Sequence, residues 1–540
     1  MIKDLNHQEC EYNKTSTSVC IVGAGVAGIF LAKLLSDHGI KVILLEAGDY
    51  EARKPSSINQ ICSQQGKLYR GADDGRSFGV GGTSVLWGGQ MISLAKSDFK
   101  DRKSLGFDCW PISYEEINKY FTVVGEVLGL GKEVFLDLDI SKLVAKNFRI
   151  LDKFGKNFNL RLSTWLPFKK RNFSKTFDQV LTKNEHVTLW VNATVICMKP
   201  SLTDVKKSIV SLIAQSGNGN KIEVNPDLVV LCAGALESTR ILLDYDEVTK
   251  GSITRNGSPL GHFFSDHLSA TCGYFECRNR RCLNFMLSPI FKNGLMRTPR
   301  LELSAITQSI QNSTSAFVHF PFLTDGKTGF DAVRKILRRN QGEQTIPIKF
   351  SFKLICRLIE DVFMMSIWRI IYHRLWFPKN AKILLQVDIE QLPNYESRLA
   401  LTDDLDGFGR KRLVIDWKIQ QADIDNIKHM AELTALTWDK MELDDIATLK
   451  LTLPTNANAI ESLYDVYHPT GSLRMGKEPI NSVVNEDLRV WSLDNCYVNT
   501  TATFPSPGSA NPGLTHLALT ARLSEHIIYC LNGKENGNKF

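Results

Sequence analysis

The feature that most limits how this chain can fold is Gly23-Ala24-Gly25-Val26-Ala27-Gly28, because of what stands on either side of it. Residues 19–22 before it form a buried-strand run, and residues 29–35 after it are apolar at helical spacing. Residues 41–45 then read as a second strand that ends in Glu46, eighteen residues after Gly28. Strand, glycine turn, helix, strand and acid in that order describe a dinucleotide-binding unit. Gly23 makes the tight turn, Gly25 lets the backbone approach a pyrophosphate, and Gly28 lets the helix pack on the strand. The helix start, with Ala27 in its first turn, receives phosphates. Glu46, followed by Ala47, is placed for the adenosine ribose hydroxyls, and an acid there favours an unphosphorylated ribose.

Two further stretches extend this reading. Gly79-Val80-Gly81-Gly82-Thr83-Ser84, with Trp87 and two more glycines after it, implies backbone pressed against something flat or anionic. We take Gly81, Gly82, Thr83, Ser84 and Trp87 as cofactor contacts. Residues 228–232 run as a strand into Ala233-Gly234 and a helix carrying Glu237 and Arg240, again the pattern of a nucleotide-binding sheet. Val195, within the strand-like run 187–198, is a further contact position. Residues 110–130 read as a helix started by Pro111.

At 540 residues the chain exceeds what one core usually supports, so two interlocked domains are expected. The expected fold is an α/β dinucleotide-binding Rossmann-like domain, with an inserted α+β substrate-binding domain on a mostly antiparallel sheet. The first would take residues 16–110, 185–265 and 466–535, and the second residues 111–184 and 266–465. The net charge is +7, and residues 333–379 alone hold ten Lys/Arg against three Asp/Glu. The remainder is near neutral, which argues against nucleic-acid binding. The twelve cysteines include no CxxC pair, and in the spaced trio Cys272, Cys277 and Cys282 the first two would point to opposite faces of a strand, so no metal site is expected. Reduced thiols and a polar N-terminus without a signal-peptide core lead us to expect a cytoplasmic protein.

The C-terminal part carries the chemistry. His468-Pro469-Thr470-Gly471-Ser472 leads to Asn499-Thr500 and then to Asn511-Pro512-Gly513-Leu514. Asn511-Pro512 has the form of a helix start, Asn as cap and Pro in the first turn. His516 on that helix is read as structural.

Together the motif at 23–28 with Glu46, the 81–87 cluster, Ala233-Gly234-Ala235-Leu236-Glu237-Ser238, the segment from His468 to Gly476 and Asn511-Pro512 resemble the glucose–methanol–choline (GMC) oxidoreductase family over nearly the whole length. The resemblance implies an α/β FAD-binding Rossmann-like domain, a substrate sheet over the flavin ring system, and a catalytic His paired with a second His or an Asn. Carried over by position, His468 is the catalytic base and Asn511 its partner; Asn499, Thr500, Pro512 and Leu514 lie by the flavin. Some members hold flavin covalently through a His just before the Trp. Leu86 stands there, so non-covalent FAD is expected. Asn499 departs from the acid or Gly common in relatives. The implied reaction is proton removal from an alcohol by His468 and hydride transfer to flavin N5, with a sugar or polyol-like alcohol as substrate and the electron acceptor unknown. The alternative from another class is a lyase on the same scaffold using His468 only as a base. A flavin-binding protein without catalysis would not need the His468–Asn511 pair, and a nicotinamide dehydrogenase would not need the second glycine cluster.

Residues 349–379 remain apart from this scheme. Leu354, Ile355, Leu358, Ile359, Val362 and Phe363 recur at helical spacing, followed by Trp368, Tyr372, Trp376 and Phe377 among Arg369 and Arg374. The favoured reading is a pair of core helices over the substrate domain. The other is peripheral contact with a membrane surface.

Overall fold

The computed structural model describes residues 1–7, 12–51, 62–136, 155–201, 207–341, 352–453 and 459–535. Tyr12–Val22 lies at the centre of an eight-stranded sheet, between Val42–Leu45 and Lys221–Leu231, and pairs in parallel with both. Val187–Val191 and Ile2–Asp4 extend one side in parallel, and Cys496–Val498 joins Lys221–Leu231, also in parallel. On the other side Ile209–Gln215 and Thr194–Pro200 continue antiparallel. Residues 187–198 are therefore two strands and not one. Asn192, at φ +53°, turns the chain, and the two halves join opposite sides of the sheet. Asn tolerates this left-handed conformation where a β-branched residue would not. The helix Val26–Ser36 begins at Gly25, and a Cβ on Gly28 would stand 2.0 Å from the Gly23 carbonyl oxygen. That approach fixes the helix against the turn, as the motif requires.

The second sheet has ten strands, and every pairing in it is antiparallel. Its strands separate two faces with period two. Leu268, Ala270, Leu385, Val387, Ile389, Val318 and Leu301 join Ile424, Ile427, Met430 and Trp438 of the helix Gln421–Lys440 in one core. The other face carries His267, Ser269, Gln386, Asp388, Glu390, His319, Arg300, Glu302 and Arg161, brought together by the register His267↔Glu390, Ser269↔Asp388 and Arg300↔Arg161. Burying so many charges is tolerated only where they are paired. Cys62–Gly66, Arg398–Leu405 and Lys411–Trp417 form a third, three-stranded sheet.

Two further expectations change. The helix expected from Pro111 spans Tyr114–Val127 and starts at Ser113, whose Oγ accepts the Glu116 N–H at 3.2 Å. Within the basic segment, residues 349–351 and the side chains of 352–356, including Leu354 and Ile355, lie outside the described residues. The helix Phe352–Ile371 packs against the helix Gly329–Gln341, but Ile359 and Phe363 are 66% and 63% exposed. They are not core residues, whereas Trp368, Trp376 and Phe377 are buried.

Candidate active site

The first glycine turn and the second glycine cluster meet. Gly81 N–H donates to the Ala24 carbonyl at 2.8 Å, and Glu46 accepts from the backbone N–H of Ala24, Gly48 and Gly79 at 2.8, 2.9 and 3.0 Å. A carboxylate has about four acceptor sites, so Glu46 still has room for a hydroxyl donor. Ala193 N–H donates to the Glu46 carbonyl, which puts Val195 two residues from this end of the cleft. The residues fit FAD on a structural criterion. A Cβ added to Gly25 or Gly234 would meet nothing within 4 Å, leaving open space before both helix starts. Thr500 Oγ1 and Asn511 Oδ1 are buried without a hydrogen-bond partner in the protein. Thr83 and Ser84 lie in a short turn after Gly82, and Trp87 Nε1 donates to the Arg171 carbonyl at 2.8 Å. Asn499 is held by its own N–H to Leu231 and accepts from Thr520, so its departure from the family pattern serves the link between strand and C-terminal helix.

His468 and Asn511 come together, with His468 Nε2 3.4 Å from Asn511 Nδ2. The expected cap is not formed: Asn511 Oδ1 accepts no hydrogen bond from the start of the helix Gly513–Glu535, and the amide nitrogen turns to the histidine instead. A third residue, missed in the sequence, completes the group. His267 Nδ1 is 3.1 Å from His468 Nδ1, and His267 Nε2 is 3.3 Å from the Pro507 carbonyl oxygen. A carbonyl oxygen only accepts, so His267 carries its proton on Nε2. Its Nδ1 then offers a lone pair, and His468 Nδ1–H must donate to it. The lone pair of His468 is left on Nε2, facing a donor amide. Burial lowers the pKa of both imidazoles; the neighbouring His267 lowers that of His468 further, well below the ordinary histidine range. Both are neutral bases near pH 7. The backbone of His468 is pinned as well: its N–H donates to Asp266 Oδ2 at 2.6 Å, where the Tyr69 hydroxyl also donates, at 2.8 Å.

The polar sheet face continues from His267. Glu390 takes a two-pronged ion pair from Arg102 and the N–H of Gly508. Glu302 pairs with Arg161 at 3.0 Å. Asp388 accepts from Ser269 and lies 2.9 Å from His319 Nε2. Burial alone would raise the Asp388 carboxyl, but His319 and Arg300 hold it below the usual carboxylate range. A cavity of about 580 Å³ opens beside this face, lined by Met91, Ser93, Arg161, Glu302 and, from the C-terminal helix, Leu514. Leu514 thus lines this cavity, and Pro512 is buried. Among the described residues no group of three or more His, Cys, Asp and Glu could hold a metal ion. Cys272 is buried, and Cys277 and Cys282 are exposed.

The signal for this face was in the sequence. In Leu385-Gln386-Val387-Asp388-Ile389-Glu390 every second residue is polar or charged while the others are apolar. Such alternation in an antiparallel strand means one apolar and one polar face, and here the polar face, with Asp388 and Glu390, is turned to the interior. His267-Leu268-Ser269-Ala270 has the same alternation.

Residues 393–520 match the family model described as GMC oxidoreductase, and residues 16–60 match the one described as FAD binding domain. The chain is 31% identical over 561 residues to 6'''-hydroxyparomomycin C oxidase of Streptomyces lividus, covering 94% of this chain and 91% of that protein. It is 21% identical to the fructose dehydrogenase large subunit of Gluconobacter japonicus, over 95% and 98% of the two chains. Its fold is similar to pyridoxine 4-oxidase from Mesorbium loti, with a TM-score of 0.58 at 18% identity, covering 95% of this chain and 99% of that one. A variant formate oxidase from Aspergillus oryzae RIB40 gives 0.57 at 14% identity, over 96% and 99%. With the Rossmann-like sheet, the antiparallel sheet across from it and a relative matched along nearly its full length, the chain belongs to the GMC oxidoreductase family, FAD-dependent enzymes that oxidise CH–OH groups.

Proposed function

We propose that this enzyme oxidises a hydroxyl-bearing carbon of a sugar or similar polyol, with non-covalent FAD and with His468 Nε2 as the base. The observation that carries this reading is the proton order along Pro507, His267 and His468, which leaves the His468 lone pair on the nitrogen beside Asn511. His468 takes the hydroxyl proton, and the Asn511 amide holds the substrate oxygen next to it. Bound FAD supplies the acceptor for the hydride. The start of the helix Gly513–Glu535 adds positive potential where negative charge develops. Leu86, in place of a histidine, supports non-covalent attachment.

The sugar-like substrate is supported by the buried polar face. Arg300 is a donor and Asp388 an acceptor within a sheet whose opposite face is apolar, an arrangement suited to a ligand with many hydroxyls. The names of the hydroxyparomomycin oxidase and the fructose dehydrogenase agree with it. The test is anaerobic titration of the purified flavoprotein with sugars and simple alcohols, followed by flavin absorbance. Bleaching by a sugar or polyol is expected. A flavin that no alcohol bleaches would transfer the assignment to a lyase on this scaffold. His468→Ala should retain flavin and slow its reduction about 10²–10⁴-fold; wild-type reduction would remove His468 from the mechanism.

A further inference from the structure

We propose that the helix Phe352–Ile371, braced by the helix Gly329–Gln341, is a docking surface for an anionic lipid bilayer, on which it lies flat. Ile359, Val362, Phe363 and Ile370 are 66%, 40%, 63% and 72% exposed. At about 100° per residue they fall within an arc of roughly 100°, and along the axis they span about 16 Å. The opposite side of the helix holds the buried Trp368. This is an amphipathic helix mounted with its apolar side outward.

The mounting is firm. A Cβ on Gly329 would stand 2.6 Å from Leu358 Cα, so the two helices touch closely. The Asp361 carboxylate accepts from the N–H of Gly329 at 2.7 Å. Trp368 packs on Phe285 with ring centroids 4.9 Å apart, and Arg369 lies over Phe291. The apolar side therefore does not face outward through loose attachment.

Charge selects the occupant. Arg369 borders the stripe on one edge and the exposed Glu360 on the other, while Lys335 and Arg339 are exposed on the bracing helix, so basic residues outnumber the acid around it. Of the other acids here, Asp361 is engaged at Gly329 and Asp331 accepts from the hydroxyls of Thr324 and Thr328, which leaves Glu360 as the exposed carboxylate beside the stripe. A second copy of the chain would bring these basic residues against each other, whereas anionic headgroups complement them. Among the described residues no helix is long and apolar enough to cross a membrane, which agrees with a helix that lies at the surface.

The experiment is co-sedimentation of the flavin-loaded protein with vesicles of phosphatidylcholine containing phosphatidylglycerol, and with phosphatidylcholine alone, at low salt. The protein should pellet with the anionic vesicles and partition at least tenfold less after Ile359→Glu, Phe363→Glu and Ile370→Glu are combined. Lys335→Glu with Arg369→Glu should weaken binding to anionic vesicles and leave flavin content intact; this pair decides the question if the triple variant loses flavin. No pelleting of the wild type, or pelleting unchanged in both variants, would overturn the proposal. So would a dimer in sedimentation velocity that the triple variant converts to monomer, since a second copy would then cover the face.

Discussion

Replacing His267 by leucine tests the proton order on which the mechanism rests. Leucine keeps the site apolar, so the burial that lowers the His468 pKa persists, but the neighbouring imidazole that lowers it further is gone. His468 Nδ1–H, which donates across 3.1 Å, loses its acceptor. A buried donor left unpaired costs about 1–3 kcal/mol. The imidazole escapes that cost by moving its proton to Nε2 or by rotating, and either removes the lone pair from the nitrogen beside Asn511. The same energy raised in the barrier slows flavin reduction about 5–150-fold. The pH profile must move too. A base whose pKa is held low works down to low pH; without His267 the His468 pKa rises, and the acid limb of the rate shifts to higher pH. Stopped-flow reduction under anaerobic conditions, across pH, reads both quantities and separates substrate binding from the rate constant. His267→Asn provides the control, since its amide oxygen can accept from Nδ1–H and should restore most of the rate. Leucine and asparagine variants equally slow, or a leucine variant within twofold of wild type with an unmoved acid limb, would refute the proton order.

Other expectations follow from the same geometry. Asp388→Asn keeps the shape of the polar face but removes its charge; substrate affinity in the anaerobic titration should fall about 5–150-fold while the limiting reduction rate changes little. An effect on rate alone would place Asp388 outside substrate binding. Acid should destabilise the protein through its buried imidazoles. Burial lowers the His516 pKa to about 4 from the ordinary 6.5, so the unfolded chain binds the extra proton first and stability is lost as pH falls from 6.5 towards 4. At pH 5 this amounts to about 2 kcal/mol for His516, and His267 and His468 act in the same direction. Thermal unfolding followed by flavin fluorescence should show the loss, and His516→Gln should reduce it; an equal loss in that variant would exclude the assignment.

The cofactor half of the molecule was legible because its constraints are local. Gly23, Gly28 and Glu46 act within one turn and its flanking strands, and their spacing survives in the sequence whatever surrounds it. The substrate half depends on register. His267 meets His468 across 201 residues of chain, and nothing near either residue announces the other. Asp388 reaches Ser269 only because two strands pair antiparallel in one alignment; a shift of one residue would turn both polar sets into the apolar core. The basic segment misled for a different reason. Helical spacing of Ile359, Val362 and Phe363 identifies an apolar stripe, but spacing does not say whether the stripe faces inward.

Apart from the short strand Cys496–Val498, the irregular course of residues 466–512 has a physical cause in this arrangement. The base must be fixed relative to the cofactor sheet and the substrate sheet at once, and no regular element can join both. Instead the segment bonds to each in turn. His468 N–H reaches Asp266 at the head of the substrate strand, Asn499 N–H reaches Leu231 in the nucleotide sheet, and the Pro507 carbonyl and Gly508 N–H return to His267 and Glu390. Each bond takes a backbone group that a strand or helix would have used itself. Movement of either sheet against the other would therefore be passed on to the segment that carries His468 and Asn511. A reaction that asks one nitrogen to meet one hydroxyl beside a flavin needs that rigidity, and the cost of buried charge on the sheet face is the condition under which it is obtained.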